Sequence, residues 1–255
     1  MSLTHKYDDL FYSIYEYYIK NIADVSFLNF ENIYYTDCMK EDLFLFYSDK
    51  RMNTDIHGAT LLQNKSSNNL VVLIDVSSEN VLTYAISIIH ELTHAYDFKI
   101  FADYYKFNNI FEIQNHDMFY TYRTWSEFKA HFYGEVYSFK YIDTVTNTNN
   151  LEVAMKNYNV QLESFLINKR KMMKNLTFDG MSLASVLGAI FLYDYYNNVS
   201  HINNSCIYQY LPIIFHTEII NKIYQLYYIY FDSAINNNIF IHLKEIKMIE
   251  DLVYT

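Results

Sequence analysis

Hydrophobic positions near the start of the chain recur at helical spacing. Between residues 5 and 22, Leu10, Phe11, Ile14, Tyr15, Tyr18, Ile19 and Ile22 fall mostly at steps of three and four, with Asp8, Asp9, Glu16 and Lys20 between them. That pattern predicts an amphipathic helix. A shorter helix is expected over 41–47, after the polar punctuation Thr36-Asp37. At Gly58 the period changes. Two short β-prone runs, 59–63 and 70–76, flank a polar stretch at 64–69, and this arrangement predicts a hairpin. The second run is apolar on both faces, so it is expected inside a small sheet and packed against a helix. Ser77-Ser78-Glu79 then supplies an N-cap and a first-turn acid to a helix that follows at once.

That next helix, 81–98 with a continuation through Ile100, Phe101 and Tyr104, is apolar nearly all round, as a helix buried in a core should be. Its polar residues are not scattered. Thr83, Ser87, His90, His94 and Asp97 recur at steps of four, three, four and three, which places them on one stripe. Polar groups on a buried helix must be satisfied, and a metal cleft with bound water would satisfy them.

A further helix is predicted over 123–135. Glu127, Ala130, His131 and Gly134 share one face of it, flanked by Trp125, Phe128 and Phe132. Glycine inside a helix costs about 1 kcal/mol relative to alanine, a cost that close approach of a second helix would justify. Past a loop at 147–150 the pattern is almost all helical, chiefly 151–173, 181–196 and 217–236, with breaks at 179–180, 197–198 and Pro212. The expectation is an α+β protein, mainly helical, with a small sheet or hairpin packed on the helix from Val81. A first part, 1–146, would carry that core, and 147–255 would form a helical C-terminal region.

Composition narrows the class. Of 255 residues 51% are hydrophobic and the net charge is −10, as in a globular chain. Four Gly and one Pro favour long helices over an all-β sandwich. The acidic balance argues against direct nucleic-acid binding, which needs a basic face. The one basic cluster, Lys169-Arg170-Lys171 with Lys174, reads as a solvated helix face. Cys38 and Cys206 suggest neither a disulfide framework nor a cysteine metal site, and free thiols in a reducing compartment are expected. The amino terminus lacks a basic region followed by an apolar stretch, so a cytoplasmic location is expected. The run 181–196 is interrupted by serines and Asp194 and is too short to span a bilayer, so no membrane association is expected.

Candidate chemistry centres on His90-Glu91-Leu92-Thr93-His94. Residues four apart on a helix lie on one face about 6 Å apart along the axis, so His90 and His94 can converge on one ion. Glu91, at the edge of that face, can reach a metal-bound water as general base without being a ligand. At this chain's own His and Glu frequencies the five-residue pattern should arise by chance about 0.02 times. Catalytic zinc usually takes three protein ligands and keeps one position for water. Glu127 is the expected third ligand; His131, Glu135, Asp117 and Glu112 are the alternatives. His131, one turn after Glu127, could instead donate to a ligand, stabilise a tetrahedral intermediate as a catalytic group, or simply pack. Asp97, one turn past His94, could orient an imidazole.

The run from Gly58, the strand around 71–75, the capped helix with His90-Glu91-Leu92-Thr93-His94 and the later Ser126-Glu127-Phe128-Lys129-Ala130 together resemble the gluzincin metallopeptidases. Within them the closest likeness is to the ImmA/IrrE-type group, over about residues 55–140. The resemblance implies a zincin-like core holding Zn2+ and intracellular hydrolysis of a protein or peptide substrate, with a transcriptional regulator or repressor as the substrate class. The five-residue core is also similar to thermolysin-type and clostridial-neurotoxin-type gluzincins. Here, however, Glu127 follows His94 by 33 positions, a long gap for the thermolysin type. His131 also stands where thermolysin-like enzymes carry an aspartate that orients a zinc histidine, so that role does not carry over. Two rival readings remain: a metal-bearing, non-proteolytic regulator that binds a partner through its helical half, and a toxin-like zinc protease that would need a delivery signal or partner.

Overall fold

The computed structural model describes residues 9–39, 42, 58–61, 70–76, 81–146, 180–196, 207–208 and 217–253. The expected helices at 41–47 and 151–173, the cap at 77–79, the basic cluster near residue 170 and Cys206 fall wholly or almost wholly outside these residues. The chain divides into two compact units, Met1–Phe119 and Tyr120–Thr255.

In the first unit, helix α1 (Asp9–Asn21) buries Phe11, Ile14, Tyr15 and Tyr18 on one side. Asp9 in its first turn and Lys20 in its last complement the helix dipole. Asn21 Nδ2 donates to the Tyr17 carbonyl at 2.8 Å, a side-chain donor added to the last turn's carbonyls. A 3-10 turn capped by the Asn29 side chain leads into strand β1 (Ile33–Thr36). Strands β2 (Gly58–Leu61) and β3 (Val71–Asp75) complete a sheet of order β1-β3-β2. β2 and β3 pair antiparallel, Gly58 opposite Ile74 and Leu61 opposite Val71, as the hairpin pattern predicts. β1 adds to the other edge in parallel, Ile33 opposite Val72 and Thr36 opposite Asp75. Burial of Val71, Val72, Leu73 and Ile74 follows from the central place of β3, whose two faces are both covered.

Helix α2 (Val81–Tyr104) packs against α1, β2, β3 and a 3-10 turn at Ile110–Asn115. Its buried residues come from all round the helix: Tyr84, Ala85, Ile88, Ile89, Leu92, Ala95, Phe98, Phe101 and Ala102. Tyr18 donates its buried hydroxyl to Thr93 Oγ1 at 3.2 Å, tying α1 to α2. Just past its end the α2 backbone turns through Lys106 at φ 58°. Phe107 N–H donates to the Ala102 carbonyl and Lys106 N–H to that of Asp103, the paired bonds of a Schellman stop. No glycine was needed as the signal.

The second unit is helical among its described residues. Helix α3 begins at Phe119, the last residue of the first unit, and runs to Thr146, longer at both ends than the 123–135 pattern. It is followed by α4 (Gly180–Tyr196), α5 (Thr217–Asn236) and α6 (Ile239–Val253). Phe128 of α3 meets Phe191 of α4 and Tyr230 of α5, with ring centroids 5.3 and 5.2 Å apart. Tyr122 stacks on Phe240. Asn237, at φ 54°, breaks α5 from α6; asparagine tolerates that left-handed geometry better than most residues. α6 was not singled out by pattern, yet it buries Ile239, Leu243, Ile246, Ile249 and Val253 on one side. Among the described residues no helix is long and apolar enough to cross a membrane.

α6 also carries a buried acid. Glu250, 3% exposed, accepts from Thr121 Oγ1 at 2.9 Å and shares a short contact with Thr124 Oγ1. Thr124 has one hydroxyl proton, and the Thr121 carbonyl lies 2.7 Å from its oxygen. A protonated Glu250 resolves the count, because it donates to Thr124 while Thr124 donates to that carbonyl. Burial pushes the Glu250 carboxyl up to about 7, against the smaller opposing pull of the two threonines and Lys247; Asp251 adds slightly to the rise. A folded-state value above the unfolded one means stability that is full below about pH 4.5 and is lost as the pH rises to about 7, up to about 3 kcal/mol in all. Glu250→Gln mimics the neutral acid. In denaturant titrations it should match the wild type near pH 4.5 and exceed it by up to about 3 kcal/mol at pH 8. A constant difference across that range would show that Glu250 titrates alike in both states.

Candidate metal centre

The α2 stripe starts with residues that satisfy themselves. Ser87 Oγ donates to the Thr83 carbonyl at 3.0 Å, one turn back. The next two members meet each other instead of the backbone. His90 is half-buried and His94 buried, and their Nε2 atoms face one another at 3.0 Å. The rings stand edge to face at 80°, and His94 lies nearly parallel to Phe98 at 5.8 Å, which holds its ring plane. Two imidazole nitrogens at this distance need either a proton or a cation between them. Zinc–nitrogen bonds of 2.0–2.1 Å in tetrahedral geometry would set the nitrogens about 3.3 Å apart, a small opening from the spacing found. Asp97, 1% exposed, is buried one turn beyond His94.

Glu91 points to the sheet. It is 4% exposed, and its Oε2 accepts from Thr60 Oγ1 at 2.7 Å. The same hydroxyl lies 3.0 Å from the Glu91 main-chain carbonyl, so one proton has two acceptors and Thr60 can turn between them. Two residues earlier on β2, Gly58 leaves room for this side chain. A Cβ there would stand 2.7 Å from both Cγ and Oε1 of Glu91. Gly58 and Thr60 share one face of the strand, and together they set where the carboxylate sits. Its φ is not positive, so close approach is the reason for glycine here.

Glu127 lies on α3 of the second unit, its side chain 18% exposed, with Oε1 3.2 Å from His131 Nε2. His131 in turn lies 2.8 Å from Ser185 Oγ of α4. Among the described residues, one group of His, Cys, Asp and Glu side chains can hold a metal ion. It is His90, His94 and Glu127, whose ligand atoms lie within 4.8 Å of one another. Two nitrogens and one carboxylate oxygen suit zinc's preference for such donors. The alternatives Glu135, Asp117 and Glu112 are not in that group. Asp117 is exposed beside His116, 3.3 Å from its Nδ1. His131 touches the candidate ligand rather than joining the group.

Three residues of this arrangement were not singled out from the sequence: Gly58 in its spacing role, Thr60 and Ser185. The available signals were a glycine opening the strand with a threonine two positions on, and serines interrupting an otherwise apolar helix. Compared with known proteins, the chain matches no family model, no curated protein and no solved structure.

Proposed function

We propose that the protein is a zinc-dependent endopeptidase with a zincin-like core, hydrolysing peptide bonds of a protein substrate. The observation that carries this reading is the group His90, His94 and Glu127, with ligand atoms within 4.8 Å of one another. Next to it in sequence, Glu91 is a buried carboxylate held in place by the sheet. In this reading His90, His94 and Glu127 hold the ion. Bound zinc would lower the pKa of a coordinated water to about 7 and polarise a carbonyl. Glu91 takes the proton of the attacking water and returns it to the leaving amine. Thr60 serves both states. It donates to the carboxylate when Glu91 is ionised, and turns its proton to the Glu91 carbonyl when the acid must donate. The resemblance to the ImmA/IrrE-type group extends the proposal to a transcriptional regulator or repressor as substrate, cut in the cytoplasm.

Metal analysis beside hydrolysis of a casein-type general substrate tests the reading. The purified protein should bind one zinc per chain, and Glu91→Gln should keep it while hydrolysis falls by at least about 100-fold. Full activity in that variant, or no zinc in the wild type, would overturn the assignment. Gly58→Ala addresses the seating of Glu91. It should retain zinc and lower the turnover by about 10- to 100-fold through displacement of the carboxylate; unchanged turnover would show that the carboxylate position is not limiting.

A further inference from the structure

The arrangement of α3 and α4 extends the proposal to a task for the C-terminal half, and it rests on the reading of Glu127 as a metal ligand. We infer that Ser185, acting through His131, is a positioning residue for Glu127, and that Gly188 is what lets α4 come close enough for it to act.

One nitrogen, His131 Nε2, lies 2.8 Å from Ser185 Oγ and 3.2 Å from Glu127 Oε1. An ionised carboxylate only accepts. Nε2 must therefore carry the proton to face Glu127, and it shares that proton with the serine oxygen. The opposite tautomer would aim a lone pair at the carboxylate. Glu127 thus selects the donor tautomer, and Ser185, accepting from the same N–H, fixes the ring from the far helix.

Packing supports the same assignment. Ser185 and Gly188 are three apart and share a face of α4, as Phe128 and His131 do on α3. A Cβ at Gly188 would stand 2.7 Å from the Phe128 carbonyl oxygen and 3.1 Å from His131 Cβ. The first of these is backbone, which cannot swing aside. The two helices therefore touch at the turn of α3 that carries Glu127 and His131. Ser185 is itself buried at 8% exposure, so its hydroxyl belongs to this contact rather than to solvent.

Groups that orient a ligand typically change metal affinity 10- to 100-fold when removed. Zinc affinity, measured by competition with a chromophoric chelator, should fall at least about 10-fold in Ser185→Ala and stay near wild type in Ser185→Thr. In a His131→Ala background, Ser185→Ala should add nothing, because the serine acts only through the imidazole. Metal-free stability to denaturant is measured alongside. If Glu127→Ala weakens zinc but Ser185→Ala does not, the positioning role alone is overturned. If Glu127→Ala leaves affinity unchanged, the ligand assignment falls and the positioning role with it. Additive losses in the double variant, or an affinity loss matched by a loss of metal-free stability, would show that Ser185 only supports the fold.

Discussion

A carboxylate inside a hydrophobic core is the constraint on which the first unit turns. Glu91 sits on a helix buried on nearly every side, where an unpaired charge would be costly. The sheet resolves this by a hydroxyl and a gap. Thr60 gives the hydrogen bond, and Gly58 removes the one methyl that would collide with the side chain. This requires β2 to lie against α2, and β2 holds that place by its ladder to β3. The buried aliphatic faces of β3 and α2 thereby serve a polar end: they fix a strand edge at the right height for one acid.

Two of the buried acids, Glu91 and Glu250, have different surroundings. Glu91 accepts from a threonine that can turn to a second acceptor, so the fold tolerates either protonation state there. Glu250 meets Thr121 and Thr124, the latter also bonded to Tyr230, and the count of hydroxyl protons favours the neutral acid. In the first case the fold seats an ionisable group beside a hydroxyl that can turn. In the second, the acid behaves as a neutral packing element that links α6 to the start of α3, at a cost that grows as the pH rises from about 4.5 to about 7.

Much of the candidate site was legible in the sequence because helical geometry is local. His90 and His94 are four apart, and any uninterrupted helix brings them together. The antiparallel hairpin and the central place of β3 were likewise visible, in the change of period at Gly58 and in a strand apolar on both faces. β1 was not. Its four residues carry no alternation that marks them out, and its parallel pairing to β3 joins positions about 40 apart. Helix α6 was obscured by charged residues along its exposed side, although its buried positions follow the helical period.

The sequence by itself determined the spacing of the paired histidines, the acid between them and the apolar helix that carries all three, because these depend on 3.6 residues per turn and on burial alone. Only the tertiary structure decided which groups meet that acid and that later carboxylate. Thr60 lies 31 positions from Glu91 and Ser185 lies 54 from His131. No periodicity encodes such meetings. They follow from how a strand seats on a helix and how closely two helices pack, and at both places the missing side chain of a glycine sets the distance.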